Sequence, residues 1–365
     1  MNTRLKILII ALSISLLGVL SIYSSTVEKD GAWQVMYQRQ LLWIGAGVVL
    51  YSFFARFNYR KLWDWMYFIY GLTVFLLFLV YVLGIIRLGA QRWLKVPWFN
   101  IQPSEVAKLI VLVFLARYFS RKAVDTVQLK NRSLGLFRAF ILPFIFVAVP
   151  AALIIEQPDL GSGMIVLILF FVMLYLSNIK MRYLMLVVAL LCAIFPFAWH
   201  ALRGYQQERI MVFLNPNADP LGAGYTFLQA RIAIGSGGFF GKGWLAGTQS
   251  QLHFLPESHT DFIFSGFTEE WGFLGGIVLV TLYFLLIQEG FKTAANTSDD
   301  FGKLLALGVS SLLLVQTSIN IAMNLGLAPV VGIPLPLMSY GGSSVLTTFV
   351  ALGILANVHS TRAVF

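Results

Sequence analysis

The stretch HFLPESHTDFIFSGFTEEWGF, residues 253–273, passes from a polar segment into a strongly apolar one. Its ionisable side chains include Glu257, His259, Asp261, Glu269 and Glu270, in a chain whose Asp, Glu, Lys and Arg residues make up only 12% of the total. A carboxylate at the point where a loop meets a membrane is unfavourable unless it has a partner or a function. We therefore predict that Asp261 is the reactive centre of the protein.

The composition indicates an integral membrane protein. Hydrophobic residues make up 58% of the 365 positions, and charged residues are about half as frequent as the roughly 25% typical of soluble domains. The single cysteine, Cys192, excludes a disulfide framework. We attribute the net charge of +10 to cytoplasmic loops rich in Lys and Arg and to anionic lipid, not to nucleic-acid binding.

Ten apolar segments approach or exceed the length of roughly 20 residues that a membrane-spanning helix needs. They are residues 5–23, 40–57, 63–86, 105–119, 134–155, 161–178, 182–200, 262–288, 303–325 and 343–360. The predicted fold is an all-α integral membrane protein with ten transmembrane helices, forming one polytopic domain over residues 1–365.

The distribution of basic residues predicts that both termini face the cytoplasm. With that orientation, sixteen of the 26 Lys and Arg residues fall in inner segments or at the inner ends of spans and nine in outer segments, while Lys108 lies within the fourth span. Positive charge is enriched on the cytoplasmic side of membrane proteins. The longest outer segment, a large extracytoplasmic loop at about 201–261, lies between spans seven and eight. Loops of this length are usually functional or contain short helices.

Several charged residues near the outer ends of the spans are candidates for a functional site. Arg92 lies in the polar segment before the fourth span, and Glu105 and Lys108 share one helix face at a spacing of three residues, so they can form an ion pair. Asp159, in EQPDLGSG, can cap the next helix. Intramembrane charge is functional by default, although the pair could simply neutralise itself and Asp159 could serve only as a cap.

The same residues limit the metal chemistry. His253, His259 and Asp261 lack the paired histidine spacing of zinc sites. Asp261 with a second carboxylate suits a hard divalent cation, magnesium or manganese, and no organic cofactor is expected. The chain contains no Gly-x-Ser-x-Gly sequence, so a serine hydrolase has little support.

Four longer motifs occur in order along the chain: QPSEVAKL, EQPDLGSG, KGWLAGTQSQLHFLPESHTDFIFS and NLGLAPVVGIPLPLMSYGGSS. Together they resemble the SEDS family of shape, elongation, division and sporulation proteins, over almost the whole chain. The sequence GTQSQL before FLPESHTDFIF is more similar to the elongation branch, RodA, than to the division branch, FtsW.

The resemblance implies a peptidoglycan glycosyltransferase of the bacterial cytoplasmic membrane. Such an enzyme polymerises lipid II, a disaccharide-pentapeptide on undecaprenyl pyrophosphate, at the outer face of the membrane during cell elongation and shape maintenance. The resemblance also implies a partner, a single-span class B penicillin-binding protein that supplies the transpeptidase. Membrane lipids surround the protein, and no nucleic acid is expected.

The resemblance assigns the essential acid of the family to Asp261, and polar residues of its outward cavity to Arg92, Glu105, Lys108 and Asp159. In this scheme Asp261 takes the proton of a sugar 4-hydroxyl as general base, or positions a divalent cation. Arg92 and Lys108, the latter oriented by Glu105, meet the charge of the departing pyrophosphate.

Three other functions fit the pattern. A lipid II flippase also needs an outward cavity with charged walls, but it would need charges along an inward route as well. A scaffold that only docks its partner would not need Asp261. A division-branch, FtsW-like polymerase stays open because the assignment to elongation depends on one loop.

Overall fold

The structure is a computed structural model that describes residues 3–27, 33, 35–87, 90–95, 100–120, 140–177, 185, 204–216 and 222–361. Within these ranges the chain is mostly helical and contains one small antiparallel sheet. The helices are α1 (Thr3–Thr26), α2 (Met36–Phe54), α3 (Lys61–Leu83), α4 (Pro103–Ser120), α5 (Leu142–Glu156), α6 (Leu160–Leu176), α7 (Gly204–Leu214), α8 (Ala223–Gly237), α9 (Thr248–Gln251), α10 (Ile263–Ala295), α11 (Asp300–Leu325) and α12 (Gly342–Thr361).

Helices occupy nine of the ten segments predicted as spans. The seventh segment, 182–200, lies outside the described residues apart from Met185. Of the helices that the structure describes, five are both long and apolar enough to cross a membrane, namely α1, α3, α10, α11 and α12. The shorter α5 and α6 are also apolar. The chain is therefore a multi-pass membrane protein.

A three-stranded sheet was missing from the all-α prediction. Strands β1 (Ile85–Arg87), β2 (Ala90–Lys95) and β3 (Asn100–Ile101) pair antiparallel in the order β1-β2-β3. The third span was predicted to continue to residue 86, but α3 ends at Leu83 because Gly84 takes an extended conformation with ψ 151°. The β-branched Ile85 then continues the apolar run as the start of a strand, which suits its stiff side chain.

The large loop predicted between spans seven and eight contains helices α7, α8 and α9 in its described part. The same loop also forms backbone hydrogen bonds with α10, whose helical conformation is interrupted at Gly272 (φ 68°, ψ −168°). Across this break, Phe273 N donates to Gly238 O over 2.9 Å, and Lys242 N donates to Glu269 O over 3.0 Å. The loop thus satisfies backbone groups that a broken helix would leave unpaired inside the membrane.

The long helices pack around α11, which contacts α4, α6 and α10, while α12 packs against α2. Small residues allow these close contacts: a methyl group on Gly353 of α12 would lie 2.8 Å from the Tyr51 carbonyl oxygen of α2.

The outer surface is apolar, and on α3 the side chains of Phe68, Phe75 and Phe78 are exposed. Such a surface matches lipid chains in a membrane protein.

Polar contacts gather at the two ends of the bundle. At one end, Tyr59 donates to the Asp299 carboxylate over 2.7 Å, and Asn357 Nδ2 donates to the Ala55 carbonyl over 3.0 Å. At the other end lie the starts of α4, α6, α10 and α12 and the end of α11. All five residues proposed for the site from the sequence lie in or beside this second end.

Candidate active site

The turn that carries Asp261 is fixed by two buried asparagines of α11. Asn320 Nδ2 and Asn324 Nδ2 each donate to the backbone carbonyl of Asp261 over 3.0 Å. The Oδ1 of Asn324 in turn accepts hydrogen bonds from Ser265 N at 3.1 Å and Ser265 Oγ at 2.6 Å. The start of α10 and the turn before it are therefore held against the end of α11.

The segment between α11 and α12 supports the same turn from another side. Ser339 Oγ donates to the Thr260 carbonyl over 2.7 Å, and Tyr340 N donates to the His259 carbonyl over 2.9 Å. Gly332, which has φ 73°, lies beside the carboxylate: an added Cβ would be 3.5 Å from Asp261 Oδ2. The motif PVVGIPLP thus forms one wall of the site.

Asp261 has an unusual electrostatic environment for an aspartate. Its side chain is half-buried. Burial, followed by the negative charge of Glu257, raises the pKa of Asp261 from 3.8 to about 6. The positive charges of Arg92 and Arg209 act in the opposite direction. A carboxylate with a pKa near 6 is well placed to exchange protons at neutral pH.

Arg92 projects from β2 toward the start of α6. Its Nη2 donates to the Pro158 carbonyl, and its Nη1 lies 3.9 Å from Asp159 Oδ1. The Arg92 side chain keeps 22% of its surface exposed, whereas Asp159 keeps only 2%. The guanidinium is therefore anchored on one side and open on the other.

Asp159 joins three elements. As predicted, it caps α6, accepting from Ser162 N at 3.3 Å. It also accepts from Gln102 Nε2 at 3.1 Å and from Ser104 Oγ at 2.9 Å, both at the start of α4. The carboxylate is thus a structural junction as well as the partner of Arg92.

The predicted ion pair between Glu105 and Lys108 is present. Lys108 Nζ lies 2.7 Å from Glu105 Oε1, and both side chains are buried, with 2% and 5% of their surfaces exposed. The charges that shift the pKa of Asp261 are those of Glu257, Arg92, Arg209 and Asp159, and this ion pair is not among them. The structure therefore groups Arg92 and Asp159 with Asp261, while Glu105 and Lys108 pair with each other in the first two turns of α4.

Two residues of this cluster were not predicted as site residues. Arg209 is half-buried on α7, and burial, followed by the nearby charge of Arg92, lowers its pKa, while Asp261 opposes that shift. Glu257 accepts a hydrogen bond from Thr260 Oγ1 at 2.9 Å. The sequence showed Glu257 as one of several acids before α10, and Arg209 as one of nine basic residues in outer segments.

The described residues contain no group of three or more His, Cys, Asp or Glu side chains that could hold a metal ion. A magnesium ion, however, is commonly held by one or two carboxylates together with substrate phosphates. Asp261 can supply one such carboxylate, so the predicted divalent cation fits here only together with a phosphate-bearing substrate.

The fold and the site define a multi-pass membrane protein with a carboxylate and two guanidinium groups gathered at one end of its helix bundle. A family model with the description "Cell cycle protein" matches residues 4–363. The chain belongs to this family, the FtsW/RodA/SpoVE family.

Curated relatives agree with this membership. The chain is 40% identical over 356 residues to the peptidoglycan glycosyltransferase MrdB of Escherichia coli K12, covering 97% of this chain and 93% of the relative. It is 43% identical over 335 residues to the MrdB protein of Helicobacter pylori strain 26695, covering 91% and 85%.

Solved structures share the fold. One chain, from a study of "structural coordination of polymerization and crosslinking by a peptidoglycan synthase complex", superposes with a TM-score of 0.82 at 30% identity, covering 98% of this chain and 97% of that one. The rod shape determining protein RodA of Thermus thermophilus superposes with a TM-score of 0.70 at 28% identity, covering 98% and 96%.

Proposed function

We propose that this chain is a peptidoglycan glycosyltransferase that polymerises lipid II into glycan strands at the outer face of the bacterial cytoplasmic membrane. The names of its relatives support the activity. The observation that carries the assignment of the site is the half-buried Asp261 carboxylate, whose pKa of about 6 responds to two guanidinium groups. Asp261 is the catalytic residue, and Arg92 and Asp159 are substrate-site residues.

Asp261 acts as the general base. The 4-hydroxyl of one lipid II attacks the anomeric carbon of the growing strand, and the hydroxyl proton passes to the Asp261 carboxylate. A new glycosidic bond forms as the bond from the anomeric carbon to the pyrophosphate oxygen breaks. A positioned general base contributes about 10²–10⁴-fold to such a rate.

Arg92 and Arg209 receive the leaving group. Undecaprenyl pyrophosphate departs with the electron pair of the broken bond, so negative charge develops on its bridging oxygen. Guanidinium groups are always charged and bind phosphate oxygens in a bidentate manner. Lys108, oriented by its ion pair with Glu105, is a further binding group for the pyrophosphate in this proposal.

A divalent cation, magnesium or manganese, would be held by Asp261 together with pyrophosphate oxygens, and it would supply further charge neutralisation. The proton transfer to Asp261 does not require it.

The chain crosses the membrane ten times with both termini in the cytoplasm. The excess of basic residues in the inner segments supports this orientation. It places the starts of α4, α6, α10 and α12, and therefore Asp261, at the outer face. The donor and acceptor lipid chains then lie against the apolar helix surfaces.

The protein works in cell elongation with a class B penicillin-binding protein. The support is its similarity to the MrdB proteins and to a chain from a complex that coordinates polymerisation and crosslinking. The partner crosslinks the strands that this chain extends.

The test is lipid II polymerisation by the purified full-length protein with its partner. Wild type is compared with Asp261→Asn and Asp261→Ala, each with and without a chelator. The matched control is Asp300→Asn, since Asp300 is exposed and lies at the opposite end of α11, roughly 30 Å along the helix from Asn320.

We expect strands from wild type and from Asp300→Asn, and none from either Asp261 variant. Loss of activity with chelator would add the cation. Full-length strands from both Asp261 variants would refute the assignment and favour a scaffold. Lipid II translocation in vesicles without any polymer would favour a flippase.

A further inference from the structure

A small, partly open cavity, whose lining does not include Asp261, lies between the end of α1, helix α9 and the first turns of α10. Its polar lining consists of four serine hydroxyls and one carboxylate: Ser21, Ser25, Ser250, Ser258 and Glu270. The cavity has room for about one water-sized occupant. Nothing in the proposed glycosyl transfer uses these groups.

The serine hydroxyls present acceptors to the cavity. Ser21 Oγ donates its proton to the Leu17 carbonyl over 3.0 Å, and Ser25 Oγ donates to the Ile22 carbonyl over 3.1 Å. Ser250 Oγ donates to the Gly247 carbonyl over 3.2 Å. A hydroxyl has one proton and two lone pairs, so these three oxygens retain lone pairs for an occupant.

Glu270 brings negative charge to the same place. Its side chain is buried, and it accepts a hydrogen bond from Ser24 Oγ. The neighbouring Glu269 is paired with Lys242 at 2.7 Å, whereas no cationic side chain of the described residues pairs with Glu270. A buried carboxylate without a compensating charge is strongly unfavourable.

Ser258 supplies the independent indication of a ligand. It is 2% exposed and lines the cavity, and its Oγ has no hydrogen-bond partner among the residues that the structure describes. A buried hydroxyl is rarely left unsatisfied, because its desolvation is then uncompensated.

We propose that this cavity binds a single sodium ion. Its ligands are one carboxylate and neutral oxygens, which suit hard cations, and one positive charge balances Glu270. Magnesium retains several waters, for which a space of this size has no room.

The bound ion would connect three parts of the chain. Ser21 and Ser25 belong to α1, Ser250 to α9, and Ser258 to the turn before α10, three residues from Asp261. Sodium would therefore stabilise the segment that carries the proposed catalytic residue. The site itself does not depend on the proposed function.

The experiment is a thermal unfolding titration of the purified full-length protein in detergent. Sodium, potassium and choline chlorides are compared at equal ionic strength. The variants are Glu270→Gln and Ser258→Ala, and the matched control is Glu289→Gln, which changes a carboxylate on the same helix whose partner is Lys292 at 3.5 Å.

We expect the Tm of wild type and Glu289→Gln to rise with sodium, saturably and on the order of 5 °C, and to respond little to potassium or choline. Glu270→Gln should lose this response. Ser258→Ala should need an about tenfold higher sodium concentration to reach half of its full rise in Tm.

Equal Tm values in sodium and choline would overturn the proposal and indicate a water molecule with a protonated Glu270. An equal response to all three salts, or a full sodium response in Glu270→Gln, would overturn it as well. If Glu270→Gln does not fold, the wild-type titration and Ser258→Ala decide the question.

Discussion

Asn320 and Asp261 are joined by a hydrogen bond from Asn320 Nδ2 to the Asp261 backbone carbonyl, 3.0 Å long. The same amide nitrogen donates to the Ile333 carbonyl at 2.7 Å. One buried side chain thus connects the turn that carries the proposed base with the wall that faces its carboxylate. The position of Asp261 is set by α11 and not by the local sequence alone.

Asn320→Ala should therefore lower turnover more than substrate affinity. A displacement of about 1 Å at a reacting group can lower a rate about 10²-fold. The loss of two hydrogen bonds, one of them to the buried Ile333 carbonyl, should also destabilise the fold by about 1–3 kcal/mol. The measurement is the kcat and KM of lipid II polymerisation beside the Tm. Asn296→Ala is the control, because Asn296 bonds to Lys292 O at an exposed position.

The rate of polymerisation should fall as the pH falls through about 6. Asp261 must be deprotonated to accept a proton, and its pKa is raised to about 6 by burial and then by Glu257. The rate should drop about tenfold per pH unit below the inflection. Glu257→Gln removes one cause of the shift, so its inflection should move to lower pH. A wild-type profile that is flat from about pH 5 to pH 7 would contradict the role of Asp261 as base.

Asp261→Asn should stabilise the protein at neutral pH while abolishing activity. The folded-state pKa of Asp261, about 6, lies above the ordinary value of 3.8. Between these values the folded state binds more protons than the unfolded state, so this group lowers the free energy of unfolding as pH rises from about 4 to about 6. Asparagine removes that penalty.

The gain above pH 6 should reach at most about 3 kcal/mol, less what the partial exposure of Asp261 screens. It should vanish well below pH 4, where the carboxyl is protonated in both states. Thermal unfolding of both proteins across this range measures the difference. A variant that is less stable than wild type at pH 7 would show that the Asp261 charge is compensated in the fold.

The membrane-spanning helices could be predicted from the sequence, because a segment that spans the lipid must be apolar along most of its length. The predicted segment 303–325 matches α11 (Asp300–Leu325), and 343–360 matches α12 (Gly342–Thr361). The Glu105–Lys108 pair also followed, because a spacing of three residues on a helix is enough to place the two groups together. Local periodicity therefore accounts for this buried charged pair.

The arrangement around Asp261 could not be derived in the same way. The charge of Arg209 acts on Asp261 because the tertiary fold brings the two residues near each other, and nothing in the sequence near residue 209 specifies that proximity. The break of α10 at Gly272 likewise depends on backbone groups from residues 238–243. The resemblance to a family identified Asp261, but tertiary contacts explain why its pKa is unusual.

Arg209→Lys should lower polymerisation by about 10²-fold, even though charge is kept. Only the guanidinium can bind two phosphate oxygens in a fork, and removing one such stabilising contact typically lowers a rate 10²–10³-fold. Arg231→Lys is the matched control, because Arg231 lies exposed on α8 over the Phe227 ring, 6.0 Å from its centroid. Equal activity of the two variants would remove Arg209 from the site. The measurement is the initial rate with saturating lipid II.

Variants of the Glu105–Lys108 pair can distinguish a structural role of the pair from a functional one. Lys108→Met leaves the buried Glu105 carboxylate unpaired and should destabilise the protein by about 3–5 kcal/mol. Adding Glu105→Gln removes the unpaired buried negative charge, so the double variant should recover most of that stability.

If Lys108 meets the pyrophosphate, the double variant should fold like wild type and still polymerise at least about 10²-fold more slowly. Recovery of both stability and rate would instead show that the pair only neutralises itself within α4. Thermal unfolding and strand synthesis, measured on the same preparations, distinguish the two cases. Because the pair is not among the charges that shift Asp261, the pH inflection of any residual activity should stay near 6. An inflection of the pH–rate profile at a clearly different pH would show that Lys108 lies closer to the reacting atoms than the structure indicates.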